Sequence, residues 1–187
     1  MTTTAAAFGF NPAYHPSGVI RPTRRPIAAA YTTAIYKGDP ILFVAAGIEL
    51  AVSNSGRADG IFIGCEYTDS TGKRNVSPFW PGTASCTEIV AYVVDDPDVV
   101  FEVQATGVVA LTDIGSHAGV STTVGTGSAY TGMSLATLLQ SSISTSTEGQ
   151  FVIVDLAPRE DNAWGDTYTI VRVKMAKSAF VFPPDAF

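Results

Sequence analysis

The sequence predicts a mainly β protein: an antiparallel β-barrel or sandwich with an extended N-terminal arm. Three observations carry that expectation. The apolar runs are short and rich in Val, Ile, Phe and Tyr, side chains that suit a pleated, half-buried surface. Seventeen glycines and 11 prolines punctuate those runs as turn formers. No stretch sustains the 3.6-residue period of an amphipathic helix. With 46% hydrophobic and 15% charged residues among 187, the chain has the apolar content to fold, and its length suits one core domain plus an extension.

Residues 1–33 read as a Pro-rich basic arm. Pro12, Pro16, Pro22 and Pro26 push the residues before them toward extended backbone, so no helix is expected there. Residues 34–187 read as a single β-rich domain. Lys37-Gly38-Asp39-Pro40 is a turn before a strand at Ile41–Ala45, and Ile48–Val52 is its return. Ile61–Tyr67 is a strand in which Ile61, Ile63 and Cys65 alternate with Phe62, Gly64 and Glu66. Asp69-Ser70-Thr71-Gly72 then makes a hairpin turn. Thr87–Val94 and Val99–Gln104 flank Asp95-Asp96-Pro97-Asp98 and read as a hairpin. Residues 121–147 are dense in Ser and Thr, and Leu135–Leu139 within them fits a short helix or a strand. Phe151–Leu156 and Thr167–Met175 close the set. In the last, Thr167, Thr169, Val171, Val173 and Met175 share one face, opposite Tyr168, Ile170, Arg172 and Lys174.

Charge is divided unevenly. Residues 1–38 hold Arg21, Arg24, Arg25 and Lys37 and no acid, while the rest carries all 17 acids against seven bases. An acidic body repels phosphate, which argues against direct nucleic-acid binding. The arm, with aromatic hooks Phe8, Phe10 and Tyr14 beside Arg21, Arg24 and Arg25, reads as a docking element. The alternative is that it folds back onto its own domain. No apolar run reaches the ~18 residues that suggest a membrane span, and the start lacks a basic, apolar leader. Synthesis in a cytoplasm is the expectation.

The search for chemistry yields little. His117 sits in a Gly-rich stretch without a nucleophile elbow, and His15 lies in the arm. Cys65 and Cys86 form no CxxC pair and read as small buried side chains, with a disulfide left open. The loop at Gly125-Thr126-Gly127-Ser128-Ala129-Tyr130 has tyrosine where a dinucleotide loop needs its third glycine. Asp95, Asp96 and Asp98, like Glu160, Asp161, Asn162 and Asp166, read as solvated turn acids. Neither catalysis, a cofactor nor a metal is expected. Trp80, Trp164, Tyr67 and Tyr130 fit sugar-stacking platforms, although the two tryptophans read more simply as packing groups.

Gly60-Ile61-Phe62-Ile63-Gly64-Cys65-Glu66-Tyr67-Thr68-Asp69, Ser77-Pro78-Phe79-Trp80-Pro81-Gly82-Thr83, Ala91 through Gln104, and Asp161-Asn162-Ala163-Trp164-Gly165-Asp166 together resemble small virion structural proteins of tailed bacteriophages. Tyr36-Lys37-Gly38-Asp39-Pro40 is similar to a turn of head-decoration proteins. The resemblance covers roughly residues 31–180 and omits the arm. It implies a non-enzymatic decoration, or cement, protein on the outer surface of a capsid. Its partners would be the major capsid protein and itself, as a homotrimer or else a dimer, with no membrane partner. The alternatives are a tail or head-fibre component, or a carbohydrate-binding β module for host attachment.

Overall fold

A computed structural model describes residues 4–28, 31–51, 56–83, 85–121, 123–145 and 149–181. Along the chain the strands are β1 (Asn11–Tyr14), β2 (Thr23–Arg25), β3 (Ile35–Tyr36), β4 (Pro40–Val44) and β5 (Gly47–Leu50). They continue as β6 (Gly60–Thr68), β7 (Arg74–Ser77), β8 (Phe79–Trp80), β9 (Thr87–Val94) and β10 (Val100–Gln104). The set ends with β11 (His117–Ala118), β12 (Phe151–Leu156) and β13 (Ile170–Met175). Two single turns of 3-10 helix, at Leu111–Asp113 and Gln140–Ser142, are the helical content among the described residues. No helix among them is long and apolar enough to cross a membrane.

The fold is a sandwich of antiparallel sheets, without a closed barrel. One sheet runs β1-β10-β13-β12-β11; the other runs β2-β9-β6-β4-β5, with β7 paired to the far half of β6. Between them lies the main core, where Phe101, Phe151, Val171 and Val173 of the first sheet meet Ile61 and Val94 of the second. The second sheet is buried on its other face too. There Ile41, Phe62, Ala91 and Val93 pack with Ile27, Ile35 and Trp80, beside the small β3–β8 ladder.

Strict alternation along β6 does not survive. Phe62 pairs with Val93 and Gly64 with Tyr92, so Ile63 is an extra residue in a bulge. The bulge shifts the side-chain parity. Cys65 therefore joins Phe62 in the second core, rather than following Ile61 and Ile63 toward the first.

The hairpin expected across Asp95–Asp98 is not formed, because its two strands belong to different sheets. The leading segment takes the partners that the hairpin would have used. β1 pairs with β10 and β2 pairs with β9, so the Asp95–Asp98 turn crosses from one sheet to the other. Asp95 is buried in that crossing. It accepts hydrogen bonds from Thr23 Oγ1 at 2.8 Å and Arg25 Nη2 at 2.6 Å, which fixes β2 beside β9.

Residues 8–28, which sequence sets apart from the body, thus lie extended on it. Phe10 is buried in the main core and stacks on Phe151 at 4.4 Å between ring centroids. Ile27 enters the second core. Gly47, at φ +140°, meets the same segment: a Cβ there would sit 2.4 Å from the Pro26 carbonyl oxygen. Only a residue without a side chain allows that approach.

Leu135–Leu139 is neither a regular helix nor a named strand. Leu138 bridges both Ala105 and Val120, which lays this stretch between the end of β10 and the start of the Ser/Thr-rich loops.

Candidate interaction surface

The arm residues divide by what they touch. Phe10 is core, and Phe8 is half-buried with the Arg159 guanidinium 5.0 Å above its ring. Arg25 bonds Asp95 and lies 4.8 Å from the Phe43 ring centroid. Arg24 reaches Glu66 at 3.0 Å. Two of the basic segment's arginines, Arg24 and Arg25, are thus paired with acids of the body within one chain. Tyr14 remains 42% exposed beside Arg172. Arg21 is exposed and makes no ion pair among the described residues. Tyr14, Arg21 and Arg24, the last 65% exposed beside its Glu66 contact, are the members of the expected docking set that face outward with substantial free surface.

Around Glu66 the polar groups form a connected set. Its carboxylate accepts from Tyr92 Oη at 2.7 Å and Arg24 at 3.0 Å, and pairs with Arg74 at 3.1 Å. These contacts, led by the Tyr92 hydroxyl, hold its pKa below the usual carboxylate range. Arg74 continues to Glu88, whose backbone φ of +51° marks the second register shift of the β6–β9 ladder, where the extra residue lies in β9. Beside this set lies a shallow apolar depression of about 350 Å³, lined by Pro22, Ile63, Pro78, Tyr92 and the exposed Val76.

The four aromatic residues that fit stacking platforms in the sequence occupy different environments. Trp80 is buried, with Nε1 donating to the Tyr31 carbonyl at 3.2 Å and Tyr67 packed edge-on against it. Trp164 packs on the main core. Tyr130 differs: it is wholly exposed, at the tip of a narrow loop. That loop is folded back on itself by hydrogen bonds from Gly132 N to Ser128 O at 2.7 Å and from Leu135 N to Thr126 O at 2.9 Å. Gly132 sits against Pro78, where a Cβ would come within 2.4 Å of the proline ring.

The base of the loop is held by Asp39. Read from sequence as a turn residue, Asp39 is fully buried. Its Oδ1 accepts from Ser134 Oγ at 2.5 Å and Gly125 N at 3.2 Å, and its Oδ2 from Tyr36 N at 2.8 Å. Burial pushes its pKa up to about 6 against the pull of these three donors. One carboxylate thus ties both ends of the Tyr130 loop to the β3–β4 turn.

The remaining sequence candidates are accounted for structurally. His117 is in β11, its backbone bonded both ways to Ser144, and its Nδ1 is buried without a partner among the described residues. Cys65 and Cys86 are free thiols; burial pushes the Cys65 pKa up to about 12. Asn162 is buried and bonds the Ala157 and Ile170 backbone. His15, in contrast, is brought against Asp96 and Asp98, a juxtaposition invisible in sequence.

No family model, no curated protein and no solved structure matches this chain.

Proposed function

We propose that this chain is a non-enzymatic capsid decoration protein of a tailed bacteriophage, binding the outer face of the major capsid protein lattice. The geometry that carries the binding part of this reading is Tyr130: a wholly exposed ring on a loop fixed at both ends. Aromatic side chains presented on a rigid base lose little entropy on docking and are frequent hot spots of interfaces. Tyr14 and Arg21 supply further outward contacts. The capsid as partner rests on the motif resemblance of residues 31–180.

In this role the protein bridges neighbouring capsomers, so that their separation under internal DNA pressure requires loss of the bridging interface. About 1,600 Å² of buried surface suffices for a stable contact. Self-association as a homotrimer at local symmetry axes would supply three Tyr130 loops at once and raise avidity.

The test uses particles lacking this protein. They are expected to assemble with normal geometry but to lose DNA at lower temperature, and re-addition of the purified chain should restore them. Tyr130→Ala should keep its melting temperature and bind depleted particles more than about 30-fold more weakly, as for a hot-spot residue worth ~2 kcal/mol. Undiminished rescue by that variant would remove Tyr130 from the interface. Depleted particles that are equally robust yet fail to adsorb to cells would instead favour a host-attachment role, with the same ring stacking on sugar.

A further inference from the structure

Two connections run side by side at one edge of the sandwich. One is the β1–β2 link, which carries His15 and Ser17; the other is the β9–β10 crossing, which carries Asp96 and Asp98. His15, Asp96 and Asp98 each offer a ligand atom, and these atoms lie within 4.8 Å of one another. We infer that they form a binding site for a divalent first-row transition ion, with zinc as the reference probe. The site is independent of the capsid reading, since it stands on local geometry alone.

The separation of His15 Nε2 from Asp96 Oδ2 is 3.4 Å. That is too long for the charge-assisted hydrogen bond such a pair makes at about 2.8 Å. It matches the span across a tetrahedral ion, since two ligands at about 2.1 Å from zinc lie about 3.4 Å apart. One imidazole with two carboxylates suits zinc and its neighbours better than calcium or magnesium, which take oxygen sets.

The surroundings orient the donors. Asp96 Oδ1 accepts the Asp98 backbone N–H at 2.9 Å, leaving Oδ2 turned to His15. His15 Nδ1 lies 2.6 Å from Ser17 Oγ and 3.0 Å from Ser17 N. Nδ1 here accepts the Ser17 backbone N–H, so an ion on Nε2 would shift the ring proton to Nδ1, break that contact and leave Nδ1–H to be donated to Ser17 Oγ, the outer hydrogen bond that metal-bound histidines make. A cleft of about 460 Å³, lined by His15, Ser17, Val19, Arg21 and Asp96, opens in front and has room for water to complete the coordination.

Two cations oppose the ion. Lys174 Nζ holds Asp98 Oδ1 at 3.1 Å, and Arg21 borders the cleft. Asp95 takes no part, being engaged by Thr23 and Arg25. Occupancy would clip the β1–β2 link to the β9–β10 crossing and so staple the leading segment to the body.

Titration of the metal-stripped full chain with zinc chloride, followed by calorimetry and thermal melting, tests the site. One equivalent of zinc is expected to bind and raise the melting temperature, with reversal by a chelator. His15→Ala and Asp98→Asn, both at sites with solvent access, should fold normally and bind at least about 10-fold more weakly. Lys174→Gln should bind more tightly, because the competing ammonium is gone. Absence of stoichiometric zinc binding by the wild type overturns the site. So does zinc uptake by His15→Ala as tight as that of the wild type.

Discussion

Phe10→Ala is expected to cost about 3–5 kcal/mol of stability, the range for deleting a buried aromatic ring. The ring is 1% exposed, stacked on Phe151, and set in place by the hydrogen bond from its N–H to the Gly38 carbonyl at 2.9 Å. Its loss leaves a cavity between the sheets that Phe151 cannot fill without leaving its own packing. Urea unfolding followed by tryptophan fluorescence measures the effect as a lowered midpoint. Removal of residues 1–28 goes further. It strips β1 from β10 and β2 from β9, exposes two strand edges, and takes Ile27 from the second core. That truncation should yield no cooperatively folded protein. A truncated chain that melts cooperatively near the full-length temperature would return the leading segment to the status of a separate arm.

Asp39→Ala is expected to cost about 3 kcal/mol or more, because it strands three donors at once: Tyr36 N, Gly125 N and Ser134 Oγ. The same group gives stability a pH signature. Burial raises its pKa from the ordinary 3.8 to about 6, so the folded state holds this proton more tightly than the unfolded chain. The resulting contribution is fully present below about pH 4, shrinks as pH rises, and is gone above about pH 6. Glu66 and Asp69 act in the opposite sense. Their lowered pKa values add stability that is lost as pH falls below the ordinary carboxylate range. Unfolding free energy measured from pH 4 to pH 8 should therefore decline through the Asp39 window. In Asp39→Asn, which cannot titrate, that decline should flatten. An unchanged pH profile in Asp39→Asn would assign the slope to another group.

What the sequence could convey was local. Runs of β-branched and aromatic residues in Thr87–Val94 and Phe151–Leu156, and alternation in Thr167–Met175, located those strands, although the last begins three residues later, at Ile170. The Asp69–Gly72 turn was legible for a similar reason: Asp69 caps Thr71 and Lys73 within its own loop. Pairing across the chain was not. Asp95-Asp96-Pro97-Asp98 has the composition of a hairpin turn, and nothing local announces that β1 and β2 displace the partner on each side. The bulge at Ile63 was equally hidden, since an extra residue changes parity without changing composition. Asp39 looked like any turn acid, and its burial depends on a loop nearly a hundred residues later in the chain. The charge asymmetry was visible but admitted two meanings. Arg25 on Asp95 and Arg24 on Glu66 account for much of it within the fold.

The most direct test of the proposed role is a count of this protein against the major shell protein in purified particles, read from cryo-electron microscopy of the head. A decoration protein should occupy the outer surface in a fixed ratio to the shell subunits, as trimers on local three-fold axes with the Tyr130 loops turned to the lattice. A handful of copies at the tail or vertex, or an undecorated shell, would contradict it.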